Sequence, residues 1–170
     1  VFAVTQPLTE GRPPMPLVYA SRHGETTRNF ALLSDLANAQ PLSPTQFSLS
    51  VHNAIVGLWS IFQGDSSEMT AIAAEGDGLE HAVLEAARLV IAEESPPEAY
   101  RPWIDDRSIP YALALRLTAG DSWQLQLQPT DESPLQPQVH ALQLIRALLH
   151  DHSQFTHHWK TRKWNWQRTR

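Results

Sequence analysis

The 170-residue sequence contains no cysteine. Disulfide bonds, thiolate metal sites and a thiol nucleophile are therefore excluded. No apolar run approaches the roughly 18 to 20 residues that a transmembrane helix needs, so we expect no membrane span. The first residues, VFAVTQPLTEG, lack the charged and apolar regions of a signal peptide. This pattern is compatible with a reducing cytoplasm, which is the location we predict.

Glycine is scarce, with seven residues against thirteen prolines, and most of the prolines fall between the periodic segments. A hydrophobic content of 42% with 18% charged residues is ordinary for a globular chain that can bury a core. The length corresponds to one domain, or to one large half of a duplicated fold. No internal repeat is visible.

The net charge of −5 conceals an asymmetry between the body and the C-terminal end. Residues 158–170 carry five cations and no acid, whereas the rest of the chain has a net charge of −10. We therefore divide the chain into a domain at 1–157 and a basic, tryptophan-rich tail at 158–170. Such a tail docks on an acidic surface, either of its own body or of a partner. Because arginine and tryptophan are enriched in protein interfaces and the body is acidic, we predict a partner protein rather than nucleic acid. The docking residues would be Trp159, Arg162, Trp164 and Trp166.

Apolar periodicity indicates strands alternating with helices. Short apolar runs predict buried strands at 17–20 and 69–74. Helical spacing predicts helices at 26–39, 79–90 and 139–149. The order of elements predicts an α/β fold with a mixed sheet and helices packed on it.

Two details of this pattern are less regular. The helix that begins at 79 runs directly into Ser95-Pro96-Pro97, with no turn signal between them. The runs at 111–118 and 122–128 flank Ala119-Gly120-Asp121, which predicts a β-hairpin.

The central stretch, 42–62, is read as a strand that enters a helix through a tight elbow. At 47–51 apolar residues alternate with serines, and after His52 the apolar residues take helical spacing. Gly57 inside that helix costs about 1 kcal/mol, which predicts a close packing contact there. His52 and Asn53 lie at the elbow, where free backbone N–H groups and the helix dipole favour a functional group.

Three segments resemble the β-ketoacyl synthase (thiolase-fold) superfamily. They are PLVYASRHGETTRNFALLSDLA, LSPTQFSLSVHNAIVGLWSI and TAIAAEGDGLEHAVLEA, which together cover roughly half of the chain. More specifically, they are similar to the short β-ketoacyl synthase-like N-terminal proteins of aryl polyene gene clusters. This resemblance implies a single thiolase-like half, that is, a truncated ketosynthase fold. It also implies a loop and another strand before Ser95-Pro96-Pro97, so either the helix that begins at 79 absorbs that strand or residues are missing.

Active ketosynthases carry a cysteine at the elbow, and by alignment His52 occupies that position here. Their second half, with its two histidines, is also missing from this chain. The resemblance therefore implies a subunit that is not an enzyme on its own and has no catalytic residue, cofactor or metal. It implies a chain length factor that forms a heterodimer or heterotetramer with a full-length ketosynthase in aryl polyene, polyketide or fatty acid type biosynthesis. The acyl carrier protein is a further candidate partner. The candidate residues for the acyl tunnel and the interface are His23, Phe47, Val51, His52, Asn53, Ile55 and Trp59.

An alternative interpretation starts from Arg22-His23-Gly24. RHGET followed by Asn29 resembles the phosphohistidine loop of histidine phosphatases, where the histidine attacks phosphorus and arginines neutralise the phosphate. That family also needs a second histidine and an arginine far downstream, and no such segment is found.

The histidines at 150, 152, 157 and 158 have no metal-ligand spacing, and no metal site is predicted from them. Glu93, Glu94, Asp105 and Asp106 are interpreted as solvated loop charges.

Overall fold

A computed structural model describes residues 1–86, 88–104, 109–132 and 139–169. The helices of this part of the chain are α1 (Phe2–Thr9), α2 (Thr26–Ala37), α3 (Pro44–Ser48), α4 (Ala54–Gln63), α5 (Gly78–Glu85) and α6 (His140–Leu149), with a short 3₁₀ helix at Glu98–Trp103. The strands are β1 (Leu17–Ala20), β2 (Met69–Ile72), β3 (Arg88–Glu93), β4 (Tyr111–Arg116), β5 (Trp123–Pro129), β6 (Gln154–Trp159) and β7 (Arg162–Arg168).

The strands form two sheets. The first has the order β2-β1-β3-β4, with β1 parallel to β2 and β3, and with β4 antiparallel to β3. The second is antiparallel and has the order β5-β7-β6. The predicted α/β fold with a mixed sheet is confirmed. None of the helices in the described ranges has the length and apolar character that crossing a bilayer requires.

The first sheet is covered on both faces, as is usual for parallel strands. Side chains alternate across β1, so that Leu17 and Tyr19 pack toward Trp59 of α4. Val18 and Ala20 pack on the opposite face in a core that α5, α6 and β7 complete. The two cores meet at β1 and β3, whose carboxyl ends lead into the 21–24 connection and the loop after Glu93.

The predicted strand at 47–51 is wrong, because the chain forms helix α3 there. Ser43 begins the helix by accepting a hydrogen bond from the Gln46 N–H at 3.3 Å, and Pro44 occupies the first helical turn. The serine hydroxyls that suggested alternation instead donate to backbone carbonyls within the turn, as Ser48 does to Thr45 at 2.9 Å. The helix after the elbow is confirmed as α4.

Two other predictions of secondary structure are corrected. The helix predicted at 79–90 ends at Glu85, and the following residues form β3, so the expected strand is present. The predicted hairpin is wrong: β4 pairs with β3, whereas β5 pairs with β7 in the other sheet. Gly57 is exposed, and a Cβ built on it meets no atom within 4 Å, so the expected close contact does not exist among the described residues.

Candidate interaction surface

Helices α2, α3 and α4 expose most of their large apolar side chains. Together they bury only Leu32, Val56 and Trp59. A surface helix of a monomer normally turns its apolar stripe toward the core. We call the exposed apolar residues of these helices and of the segments that connect them the α2–α4 surface. Its members, exposed by 38% to 81%, are Phe30, Leu33, Leu36, Leu42, Phe47, Val51, Leu58, Ile61 and Phe62.

Two kinds of contact hold the helices that carry this surface. The Asn29 side-chain amide of α2 donates to the Ser50 carbonyl at 3.1 Å, and Arg28 of α2 donates to the Gln46 side chain of α3. Val56 and Trp59 anchor α4 in the core. The exposed apolar residues are therefore held on a defined framework, and large exposed apolar patches mark binding surfaces.

His52 packs inward at the elbow. Its ring lies 5.6 Å from the ring of Tyr19 on β1, centroid to centroid, and Nδ1 lies 2.7 Å from the position of a Cβ built on Gly24. Gly24 has φ +53°, and this close approach leaves no room for a side chain. His52 Nε2 is buried without a hydrogen-bond partner among the described residues. Asn53 precedes α4 but makes no side-chain cap.

The other sequence-predicted site residues separate into two groups. Phe47 and Val51 belong to the α2–α4 surface, with 64% and 46% of their area exposed. Ile55 is half-buried against the core beside β1. Trp59 is only 1% exposed, so its assignment to an interface or tunnel wall is corrected to a core role.

The Arg22-His23-Gly24 connection is bound to Glu93 at the end of β3. The Glu93 carboxylate accepts the Arg22 N–H at 2.6 Å and the His23 N–H at 3.4 Å. Ser21 Oγ accepts the Gly24 N–H at 3.0 Å. The backbone N–H groups of Arg22 and His23 thus donate to a carboxylate of the same chain, and this arrangement gives the phosphatase interpretation no support. Interpreting Glu93 as a solvated charge is wrong as well, while Asp105 and Asp106 lie outside the described residues.

The basic C-terminal segment is part of the folded body. Its strand β7 is the central strand of the second sheet, and the proposed boundary after 157 falls inside β6. Trp164 and Trp166 are 1% and 5% exposed, so their prediction as partner-docking residues is wrong. Trp159 and Arg162 donate to Glu75 and Asp77 of the same chain. The acidic surface that this segment contacts therefore belongs to its own body.

One buried polar cluster was missed by the sequence analysis. Glu80 lies between His140 and His157, which come 60 and 77 residues later in the chain, and all three are at most 4% exposed. No spacing rule joins residues so far apart. The available signal was a glutamate between Leu79 and Ala82 of the predicted helix, because a carboxylate buried beside them needs partners.

Comparison with known proteins places the chain among ketosynthase-like proteins. The sequence profile described as β-ketoacyl synthase, N-terminal domain, matches residues 1–167. The structure is similar to a chain in the solved complex of the ketosynthase ApeO with its chain length factor ApeC from Xenorhabdus doucetiae. The TM-score is 0.85 and the sequence identity is 27%, and the match covers 96% of this chain and 73% of that chain. No curated protein matches the sequence. The predicted thiolase-like α/β architecture is thereby confirmed, and the chain belongs to the β-ketoacyl synthase N-terminal domain family.

Proposed function

We propose that this chain is a non-catalytic chain length factor that pairs with a complete β-ketoacyl-[acyl carrier protein] synthase in aryl polyene or related polyketide and fatty acid type biosynthesis. The observation that carries the proposal is the α2–α4 surface, whose nine large apolar residues are exposed on a fixed framework. The similarity to a chain in a ketosynthase–chain length factor complex supports the same assignment.

The elbow supports a non-catalytic role. Condensation by a ketosynthase needs a thiolate, and the sequence has no cysteine. His52, which stands at the elbow, is packed against Tyr19 and the Gly24 backbone. We infer that the reacting thiol and its histidines come from the partner, and that this chain is not an enzyme on its own.

The energetics of the α2–α4 surface suit a stable heterodimer. Burying one large apolar side chain contributes about 1.5 to 3 kcal/mol. Association costs at least about 4 kcal/mol in lost translational and rotational freedom, so only several buried side chains together give tight binding. The nine members of the surface are enough for this even if the partner covers only part of them.

The same surface suggests how product length is set. Phe47 and Val51 project from it near the elbow, and together with His52 they are our candidates for the end wall of the partner's acyl tunnel. Each methylene that fits contributes about 0.8 kcal/mol, so a wall that shortens the tunnel by one or two carbons changes which chain is accommodated. His23 and Asn53 remain candidates for the rim of this interface. The acyl carrier protein is a further candidate contact, and the cytoplasm is the proposed location.

The test is co-expression with a ketosynthase from the same gene cluster, followed by measurement of the mass in solution. We expect a stable 1:1 or 2:2 complex, with the separate chain associating with itself through its α2–α4 surface at high protein concentration. A well-behaved monomer that ignores the ketosynthase would contradict the proposal. Products of the complex are then compared between the wild type and His52→Ala, and an unchanged product profile removes His52 from the tunnel wall.

A further inference from the structure

We propose that Glu80, His140 and His157 form a binding site for a divalent metal ion of the zinc class. The site joins three elements, because Glu80 lies in the first turn of α5, His140 begins α6 and His157 lies in β6. Nδ1 of His140 lies 3.0 Å from Glu80 Oε2, and Nδ1 of His157 faces the other oxygen, Oε1. One ligand atom from each residue lies within 4.8 Å of the others.

The three side chains are the donors that such an ion selects. Two imidazole nitrogens and one carboxylate oxygen are the protein ligands of many zinc sites, where water completes the coordination. The set is also buried, since Glu80 and His157 are at most 1% exposed and His140 is 4% exposed. An isolated carboxylate at that depth is costly, whereas one that binds a cation is compensated.

The surroundings supply an outer contact and space for water beside one ligand. The indole N–H of Trp166 donates to Glu80 Oε1 at 3.2 Å, as outer-shell donors orient ligating carboxylates elsewhere. His140 lines a cleft of about 50 Å³ that Ser21, Tyr111 and Trp159 also line. A volume of roughly 10 to 15 Å³ holds one water, so the cleft has space for water next to His140.

Binding an ion changes the present arrangement in one defined way. The two imidazole rings are stacked, with centroids 3.8 Å apart, and both approach the same carboxylate. Both Nδ1 lone pairs can point at one ion only if the rings rotate apart, and the ion then replaces the two contacts to Glu80. Because Trp166 donates to that carboxylate, its fluorescence should report the rearrangement. The bound ion would link α5, α6 and the β6–β7 pair, which gives it a structural role.

The experiment uses the full chain, alone or in its ketosynthase complex, after dialysis against a chelator. Zn²⁺ is titrated calorimetrically, and Co²⁺ serves as a spectroscopic probe of imidazole coordination. We expect one Zn²⁺ per chain, a visible Co²⁺ band, a change in tryptophan fluorescence and a higher thermal unfolding midpoint. If the wild type binds no stoichiometric Zn²⁺ or Co²⁺, the proposal is overturned without reference to any variant.

Substitutions then locate the ion. Glu80→Gln keeps the volume and a hydrogen-bond acceptor, and it should weaken Zn²⁺ binding at least about tenfold. The matched control replaces His150 and His152, an exposed pair with ring centroids 5.9 Å apart, by alanine and should leave binding unchanged. Binding that survives Glu80→Gln but disappears in the control would assign the ion to the surface pair and overturn the buried site.

Discussion

The indole N–H of Trp164 donates to Asp77 Oδ2 at 3.0 Å in a fully buried position. Asp77 also accepts two hydrogen bonds from the Arg162 guanidinium, from Nε at 2.6 Å and from Nη2 at 3.0 Å. Asp77 comes immediately before α5, and both donors lie on β7. The contact therefore joins the second sheet to the helix that covers the first.

This contact is one of three of the same kind. Trp159 donates its indole N–H to Glu75 at 2.8 Å, and Trp166 donates to Glu80 at 3.2 Å. Three acidic residues within 75–80 thus each accept a tryptophan of the β6–β7 pair. Lys160 and Arg162 of the basic segment also pair with Glu75 and Asp77, so part of the C-terminal positive charge is neutralised within the same chain.

Removing the Asp77 carboxylate should destabilise the fold strongly. Asp77→Ala leaves the buried Trp164 N–H without its acceptor and removes one of the two carboxylates that the partly exposed Arg162 contacts, the other being Glu75. We expect the free energy of unfolding to fall by about 2 to 3 kcal/mol, the upper part of the range for a buried donor left without a partner. Urea denaturation measures this change, with Asp151→Asn as the control, because asparagine also tolerates the φ of +52° at that position. Asp151 is 83% exposed in its pair with Arg168, so its loss should cost at most about 1 kcal/mol. Equal effects would contradict the structural role of Asp77.

The Glu75 carboxylate should make stability depend on pH. Hydrogen bonds from Lys160 and then from Trp159 lower its pKa from 4.5 to about 2. The folded state therefore binds the proton less readily than the unfolded state. The stabilisation of the folded state by the ionised Glu75 is fully present above pH 4.5 and is lost as the pH falls toward about 2.

Replacing Glu75 by glutamine tests that dependence. The unfolding free energy of Glu75→Gln should vary less with pH across the interval from 4.5 to about 2 than that of the wild type. Glu132→Gln removes an exposed carboxylate 3.7 Å from Lys163 and serves as the control. A Glu75→Gln profile that parallels the wild type would show that these contacts do not persist in solution.

Gly76 should not tolerate a side chain. A Cβ built there overlaps the six-membered ring of Trp159, with Cδ2 2.8 Å away. Gly76→Ala must displace the ring from its hydrogen bond to Glu75 and from the Arg22 guanidinium, which lies 4.9 Å from the ring centroid. We expect a loss of about 1 to 3 kcal/mol in unfolding free energy, as for other overpacking substitutions.

A double-mutant cycle separates this clash from other effects of alanine. In a Trp159→Ala background, Gly76→Ala should cost much less, because the ring it displaces is absent. Strictly additive costs would mean that the close approach does not cause the destabilisation.

Local signals were sufficient for some elements and misleading for others. The four residues of β1 form a buried run between loops, and α6 shows a regular apolar period, so both were predicted within a residue or two. At 47–51 the alternation of apolar and serine residues suggested a strand. The start signal Ser43-Pro44 outweighed it, since the serine caps the helix and proline fits its first turn.

Pairing and long-range clusters could not be obtained from local patterns. Both β4 and β5 were recognised as strands, but their partners depend on tertiary packing. Val90 aligns with Ala114 in one sheet, and Leu125 aligns with Trp166 in the other. The Glu80 cluster likewise exists only because α5, α6 and β6 come together. The helical spacing of apolar residues in α2 is visible in the sequence. Such a stripe normally predicts burial against the core, and the sequence alone cannot show that it stays exposed.

The α2–α4 surface makes the last prediction. Ile61→Asp places a charge on its most exposed member, which is 81% exposed in this chain. Because the side chain has few contacts within the chain, the unfolding free energy should change by no more than about 0.5 kcal/mol. Association with the ketosynthase should weaken by about 2 kcal/mol, or roughly 30-fold, if Ile61 is buried by the partner. Leu149→Asp, on α6 and 75% exposed, is the matched control and should bind like the wild type. The affinities of both variants are measured on surface-immobilised ketosynthase. Equal weakening of both variants would indicate a nonspecific charge effect. Weakening of Leu149→Asp alone would place the interface at α6.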